Sequence, residues 1–167
     1  MKIKNNNKGV TLLEVMIITV MIGITSTLAI PRFGQVIDKL RLKTEARDII
    51  SSLRLARSDA VSQRYQFGVH FDLRRNQYVL FKDSDNPSAF TYNMALDSVM
   101  ATKTLPQSVN FGSSSFSNNV VIFKPDGSAS SSGAVELYSS EDYNGSFTID
   151  VLGSTGRVKL LSGSYYD

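Results

Sequence analysis

The chain has 167 residues, enough for one ordinary domain with an appendage, and its lack of cysteine excludes disulfides and thiolate metal sites. Its formal net charge is +3. Three lysines, Lys2, Lys4 and Lys8, precede the first apolar run. Residues 10–167 therefore contain 15 basic and 15 acidic residues. From Tyr65 onward, seven basic residues meet ten acidic ones, which argues against nucleic-acid binding by a broadly basic domain.

Residues 10–30 form one apolar stretch of about the 20 residues that a membrane-spanning helix needs. Glu14 is the only ionisable side chain in it, and a carboxylate among lipid tails is costly unless it has a partner. We therefore expect Glu14 to make a functional contact. The alternative is that its side chain extends to the membrane surface. A secretory signal peptide cut near Ala29 is the alternative for the whole stretch, but Glu14 and the helical pattern beyond Pro31 disfavour it.

Residues 31–64 are predicted to form an amphipathic helix, because apolar residues recur at spacings of three and four. We expect Pro31 and Gly34 to bend the helix without ending it. Arg54 and Arg57 flank the apolar stripe, and we expect them to solvate it or to brace the β domain, the alternative being an anion site. The predicted stripe consists of Ile37, Leu40, Ala46, Ile49, Ile50, Leu53, Ala56 and Ala60.

From Tyr65 the sequence is rich in β-branched and aromatic residues separated by turn signals, which predicts antiparallel strands. Within residues 77–82, Tyr78 and Leu80 alternate with Val79 and Phe81, as in a strand. The serine-rich runs 113–117 and 128–132 are predicted to be exposed loops. The predicted strands are Gln66–Asp72, Gln77–Lys82, Ser98–Leu105, Val120–Phe123, Ala134–Tyr138, Phe147–Leu152 and Arg157–Leu161. The fold class is therefore α+β: a long N-terminal helix packed on an antiparallel β-sheet domain.

No pattern in the sequence predicts catalysis. His70, the only histidine, lies between Val69 and Phe71 in a predicted strand, where a sheet side chain is expected and not a general base. No Ser/His/Asp arrangement, metal-ligand cluster or phosphate loop stands out. We therefore expect a protein without enzymatic activity, cofactor or metal.

Two motifs resemble a known family. The leader and Gly9-Val10-Thr11-Leu12-Leu13-Glu14 resemble the class III signal of type IV pilins and pseudopilins, although Val10 stands where phenylalanine is usual. Residues 53–61 resemble the L-x-x-A-R-S-E-A segment of GspH/FimT minor pilins and pseudopilins, with Asp59 in place of glutamate. Ile122-Phe123 with Asp126-Gly127, and residues 156–159, fit the same family.

The resemblance implies that a prepilin peptidase cuts between Gly9 and Val10 and methylates the new amine of Val10. Residues 1–9 are then the leader, 10–30 the transmembrane and assembly helix, 31–64 the amphipathic helix and 65–167 a periplasmic domain. The protein is expected in the inner membrane, crossing it once, before it enters a filament. There the carboxylate of Glu14 would meet the amine of residue 10 in a neighbouring subunit, because buried charges are paired.

The function that the resemblance implies is that of a structural subunit of a type II secretion pseudopilus or a type IV pilus, active in filament initiation or at the tip. Other pilin or pseudopilin subunits would be its partners. The alternative is a FimT-like minor pilin whose C-terminal domain binds DNA or a surface. Arg157 and Lys159 are the candidate DNA contacts, since relatives with a basic pair there are associated with DNA uptake. An ordinary solvated hairpin remains open for them.

Overall fold

The structure, a computed structural model, describes residues 9–84, 88–140 and 145–163; for residues 28–36 it describes the main chain only. The chain divides after Ile37 into two compact units, the second of which is Asp38–Asp167. The helix α1 spans Leu12–Gln63 and remains helical through Pro31, as predicted. Residues 1–8 of the predicted leader lie outside the described residues.

Thr11 caps the N-terminus of α1. Its hydroxyl oxygen accepts a hydrogen bond from the main-chain N–H of Glu14 at 3.2 Å. Because Glu14 is the third residue of the helix, Thr11 and Glu14 have the Thr-x-x-Glu spacing of a capping box. Large apolar side chains are exposed along the following turns, from Leu12 to Ile24. Among the residues whose side chains are described, no helix is both long and apolar enough to cross a membrane.

The second half of α1 packs through a stripe whose start differs from the prediction. Ile37 and Leu40 were expected in the stripe, but they are 46% and 59% exposed. Leu42, which the prediction omitted, is only 1% exposed. The buried positions follow one another at alternating steps of four and three, and extending that pattern backward from Ala46 leads to Leu42. They are Leu42, Ala46, Ile49, Leu53, Ala56 and Ala60, with Ile50 at the margin.

The described residues after α1 form two four-stranded antiparallel sheets, which confirms the α+β class. The strands are β1 Phe67–Asp72, β2 Gln77–Lys82, β3 Ser98–Thr104, β4 Val109–Ser114, β5 Val120–Phe123, β6 Gly133–Ser139, β7 Ser146–Leu152 and β8 Arg157–Ser162. The first sheet has the order β3-β2-β1-β5 and the second β4-β6-β7-β8. Side chains of α1 and of both sheets join in one hydrophobic core.

The strand β2 is buried on both faces, since the side chains of residues 78–81 are all buried, whereas those of its neighbour β3 are exposed. Tyr78 and Leu80 face the main core, whereas Phe81 belongs to a second cluster that Phe90 and Tyr92 cover from the loop before β3. Gly68 permits this packing, because a Cβ there would lie 2.7 Å from the Phe81 ring. The loop thus supplies a second apolar layer.

The serine-rich runs are only in part exposed loops. β4 was missed, and its last residues, Ser113 and Ser114, lie within the run 113–117. Its apolar signal is confined to Val109 and Phe111, which are both buried, too few to indicate a strand from the sequence. The run 128–132 is held to β5, since the N–H of Ser130 donates to the carbonyl of Ile122 at 2.7 Å.

Candidate functional site

The predicted processing site precedes α1. Gly9 and Val10 lie outside regular secondary structure and are exposed, Val10 to 67%. Glu14 is also exposed, one helical turn further on. A peptidase needs an accessible, non-helical main chain, and both residues provide one. Cleavage, methylation and the role of Glu14 stay predictions.

The second predicted site, Arg157 and Lys159, lies in a groove that we call the basic groove. It is lined by Ile50, Arg54 and Arg57 of α1 and by residues 156–160 of the last hairpin, and it has a volume of about 590 Å³. Four cationic residues therefore share one site, although the two pairs are about a hundred positions apart in the sequence. Local patterns could find each pair but not their proximity, which depends on how β8 packs beside α1.

Arg57 braces the β domain, which was one of the roles expected for it. Its Nε donates a hydrogen bond to the carbonyl oxygen of Gly127 at 2.9 Å. Gly156 adopts a positive φ of +61°, and a Cβ there would overlap that same oxygen. Only glycine fits at this position, because two turns, 124–127 and 153–156, meet over the Arg57 side chain. Arg57 and Gly156 thus position the start of β8.

The charge of the basic groove is only partly balanced. No acidic residue is among the described residues that line it. Lys159 does pair directly across the ladder with Asp150 of β7, whereas Arg157 lies opposite the apolar Leu152. Arg157 is consequently the cation of β8 with the least compensation from its neighbouring strand.

His70 is a sheet side chain, as predicted. It lies in β1, and its ring stacks on that of Tyr92 with the centroids 4.9 Å apart. Burial lowers the pKa of His70 below its usual 6.5, while the nearby Asp72 opposes the effect. In the described ranges, no three His, Cys, Asp or Glu residues come together to hold a metal ion.

Solved structures show that this is the fold of minor pilins and pseudopilins. The minor pseudopilin EpsH of the type 2 secretion system of Vibrio cholerae has a TM-score of 0.58 and 12% identity; the match covers 73% of this chain and 97% of EpsH. The type IV minor pilin FimU of Pseudomonas aeruginosa has a TM-score of 0.58 and 13% identity, over 74% of this chain and 92% of FimU. No curated protein sequence matches the chain.

The family follows from the sequence. The profile of the family described as type II transport protein GspH matches residues 45–156, about two thirds of the chain. The chain belongs to the GspH family, which confirms the resemblance seen in residues 53–61. The matched region contains Arg54, Arg57 and Gly156, and ends directly before Arg157.

Proposed function

We propose that the protein is a structural subunit of a type II secretion pseudopilus or a type IV pilus, acting in filament initiation or at the tip and without enzymatic activity. The observation that carries the proposal is the GspH family match to residues 45–156, in a chain whose residues 9–14 resemble a class III signal. The shared fold of EpsH and FimU agrees with it. Other pilin or pseudopilin subunits are its partners.

The membrane-bound precursor follows from the N-terminal segment. Residues 10–30 anchor the chain in the inner membrane, and the lysines of the leader keep residues 1–9 in the cytoplasm. The apolar side chains exposed between Leu12 and Ile24 support this assignment, because they form no part of the protein's own core. The domain after α1 is then periplasmic. A prepilin peptidase acts on the accessible Gly9–Val10 bond.

Mass spectrometry of the mature N-terminus tests this proposal. The chain is expressed with its prepilin peptidase, extracted in detergent and digested for N-terminal peptides. We expect a first residue of N-methylated Val10. Gly9→Leu serves as the matched variant and should remain uncut, because a bulky side chain obstructs the cleavage site. A mature chain that starts at Ile30 would instead show an ordinary signal peptide.

DNA binding through Arg157 and Lys159 is the second candidate function. It is supported by the gathering of Arg54, Arg57, Arg157 and Lys159 around one groove. Four cations can neutralise several phosphates, which makes weak, salt-dependent binding feasible.

Fluorescence anisotropy with a labelled DNA duplex tests this second candidate on the mature chain in detergent. Affinity should fall as salt rises and should be lost in the double variant Arg157→Ala, Lys159→Ala. Arg74→Ala, Arg75→Ala removes two cations from the β1–β2 turn and serves as the charge-matched control. Absence of binding at low salt would remove this candidate.

A further inference from the structure

The strand β8 lies at the edge of the second sheet, and its open side borders the basic groove. Among the described residues, β8 pairs only with β7. The N–H of Gly163 donates to the carbonyl of Ser146, so these two residues form a hydrogen-bonded pair. Hydrogen-bonded and non-hydrogen-bonded pairs alternate in an antiparallel ladder. Residues 157, 159 and 161 therefore direct their main-chain groups to β7, while Val158 and Leu160 direct theirs to the open side.

Over residues 157–160, the two faces of β8 carry different side chains, apolar on one face and cationic on the other. Val158 is buried in the main core and Leu160 packs against it, on the side of α1. Because side chains alternate along a strand, Arg157 and Lys159 lie on the opposite face of the sheet. Ile50 and the aliphatic stem of Arg54 complete the wall formed by α1. A chain that entered the groove would meet apolar atoms together with Arg54 and Arg57 on the α1 side, and Arg157 and Lys159 on the other.

We infer that the basic groove accepts an acidic, extended segment of a partner subunit, which adds to the open edge of β8 as a further strand. Its main chain would bond with Val158 and Leu160, its apolar residues would cover Ile50 and Leu160, and its carboxylates would lie across from Arg157 and Lys159. Five residues, 156–160, line the groove. At about 3.3 Å per residue they match a segment of four to five residues. The inference rests on the proposed function, because it requires a partner subunit.

The open main chain favours a peptide over a nucleic acid as the occupant. A strand edge offers N–H donors and carbonyl acceptors in alternation, and another strand satisfies both. Phosphate oxygens only accept hydrogen bonds, so DNA could use the cations but would leave the edge carbonyls of Val158 and Leu160 without donors. Exposed strand edges also invite uncontrolled association unless something covers or guards them. Arg157 and Lys159 would admit acidic segments and repel basic ones.

Synthetic peptides test the inference on the full mature chain in detergent micelles. The probe is a fluorescein-labelled ten-residue peptide of alternating aspartate and valine, measured by anisotropy at low salt. Two controls carry N-methyl groups on every second amide, along one strand edge or along the other. A strand pairs with β8 through one edge only, so methylation of that edge should weaken binding at least tenfold, and methylation of the other edge should have little effect. A third control replaces each aspartate by lysine and should not bind.

Variants of the chain test the site. Arg157→Glu should weaken peptide binding at least tenfold, whereas Arg74→Glu, an exposed arginine in the β1–β2 turn, should leave it unchanged. Near-UV circular dichroism of each variant checks that the fold is retained. The inference is overturned if both methylated peptides bind like the parent, if Arg157→Glu has no effect, or if a DNA duplex binds in the groove while the peptide does not. Failure of peptide binding with normal cleavage at Val10 and normal filament entry would remove this inference and leave the proposed function intact.

Discussion

The side chain of Asn76 joins the β1–β2 turn to β4 of the second sheet by hydrogen bonds. Its amide nitrogen donates to the carbonyl oxygen of Val109 at 2.7 Å, and its amide oxygen accepts from the N–H of Phe111 at 2.9 Å. These are the two bonds that a neighbouring strand would make to the edge of β4. Asn76 also closes the β1–β2 turn with a positive φ of +54°. The sequence marks it as a turn residue but does not reveal its bonds, because β4 is 33 positions away.

We expect Asn76→Gly to lower the free energy of unfolding by about 1–3 kcal/mol, since it leaves the carbonyl of Val109 and the N–H of Phe111 without their partner. Glycine adopts the positive φ without strain, so the loss reports the side-chain bonds alone. Denaturant unfolding followed by near-UV circular dichroism measures it, because all seven tyrosines follow α1. Asn118→Gly, at an exposed residue with φ +55°, is the control and should be near neutral. An equal loss in both variants would contradict the role of Asn76.

His70 should make the stability fall in mild acid. Because burial holds its pKa in the folded protein below 6.5, the unfolded chain takes up a proton first as the pH falls. The His70 contribution is therefore complete above pH 6.5 and is lost progressively toward the lower pKa of the folded state. Melting temperatures at about pH 7.5 and 5.5 should differ more for the wild type than for His70→Phe, which keeps a ring against Tyr92. The same difference in both proteins would exclude His70 as the cause.

At the scale of elements, α1 shows how a correct helix prediction can carry a wrong stripe. Ile37 and Leu40 are three residues apart, which placed them in the predicted stripe, but Leu40 lies six residues before Ala46. Leu42 lies four residues before Ala46, so the spacing measured from the buried residues selects Leu42. Leu42 is the first apolar residue of α1 inside the core cluster.

Alanine substitutions test the observed stripe directly. Leu42→Ala should lower the free energy of unfolding by about 2–5 kcal/mol, because it leaves a cavity in the core. Leu40→Ala removes the same atoms from an exposed site and should change stability by less than about 0.5 kcal/mol. Denaturant unfolding of the two variants is the measurement. A loss for Leu40→Ala as large as that for Leu42→Ala would contradict the observed stripe.

The elements that the sequence predicts well are those whose signal is local. β1, β2 and β5 are dense in β-branched and aromatic residues, and their predicted bounds differ from the observed ones by no more than one residue. β4 was not predicted, because Gly112, Ser113 and Ser114 leave it only two apolar residues. The basic groove could not be predicted from the sequence, because Arg54 and Arg157 come close to each other only in the folded domain. The packing of Phe90 and Tyr92 on the first sheet likewise depends on a loop whose sequence reads as polar.

At the scale of the whole molecule, charge and apolar surface are divided along the chain. Lys2, Lys4 and Lys8 account for the entire formal excess of positive charge, so residues 10–167 are formally neutral. The exposed apolar side chains between Leu12 and Ile24 and the lone Glu14 occupy the first compact unit, whereas the core and the basic groove belong to the second. We therefore expect mutations in the first unit to change the proposed assembly without changing the proposed recognition by the basic groove.

Glu14 has two candidate roles that filament entry can separate. As the third residue of α1 it can complete a capping box with Thr11, and in a filament it can pair with the amine of Val10 in a neighbour. We expect Glu14→Val and Glu14→Gln to be cleaved normally but to enter filaments poorly. Glutamine can still complete the capping box. Poor filament entry of Glu14→Gln would therefore show that the negative charge of Glu14 is needed. Shearing of filaments followed by immunoblotting measures incorporation, and mass spectrometry measures cleavage.

Thr11→Val provides the matched control for Glu14. It removes the hydroxyl that accepts the N–H of Glu14 and leaves the carboxylate in place. Loss of an N-cap costs about 1 kcal/mol of helix stability, which is small for a helix of 52 residues. Thr11→Val should therefore enter filaments nearly as well as the wild type. If Thr11→Val failed while Glu14→Gln assembled normally, helix capping would explain the position of Glu14, and pairing between subunits would have to be abandoned.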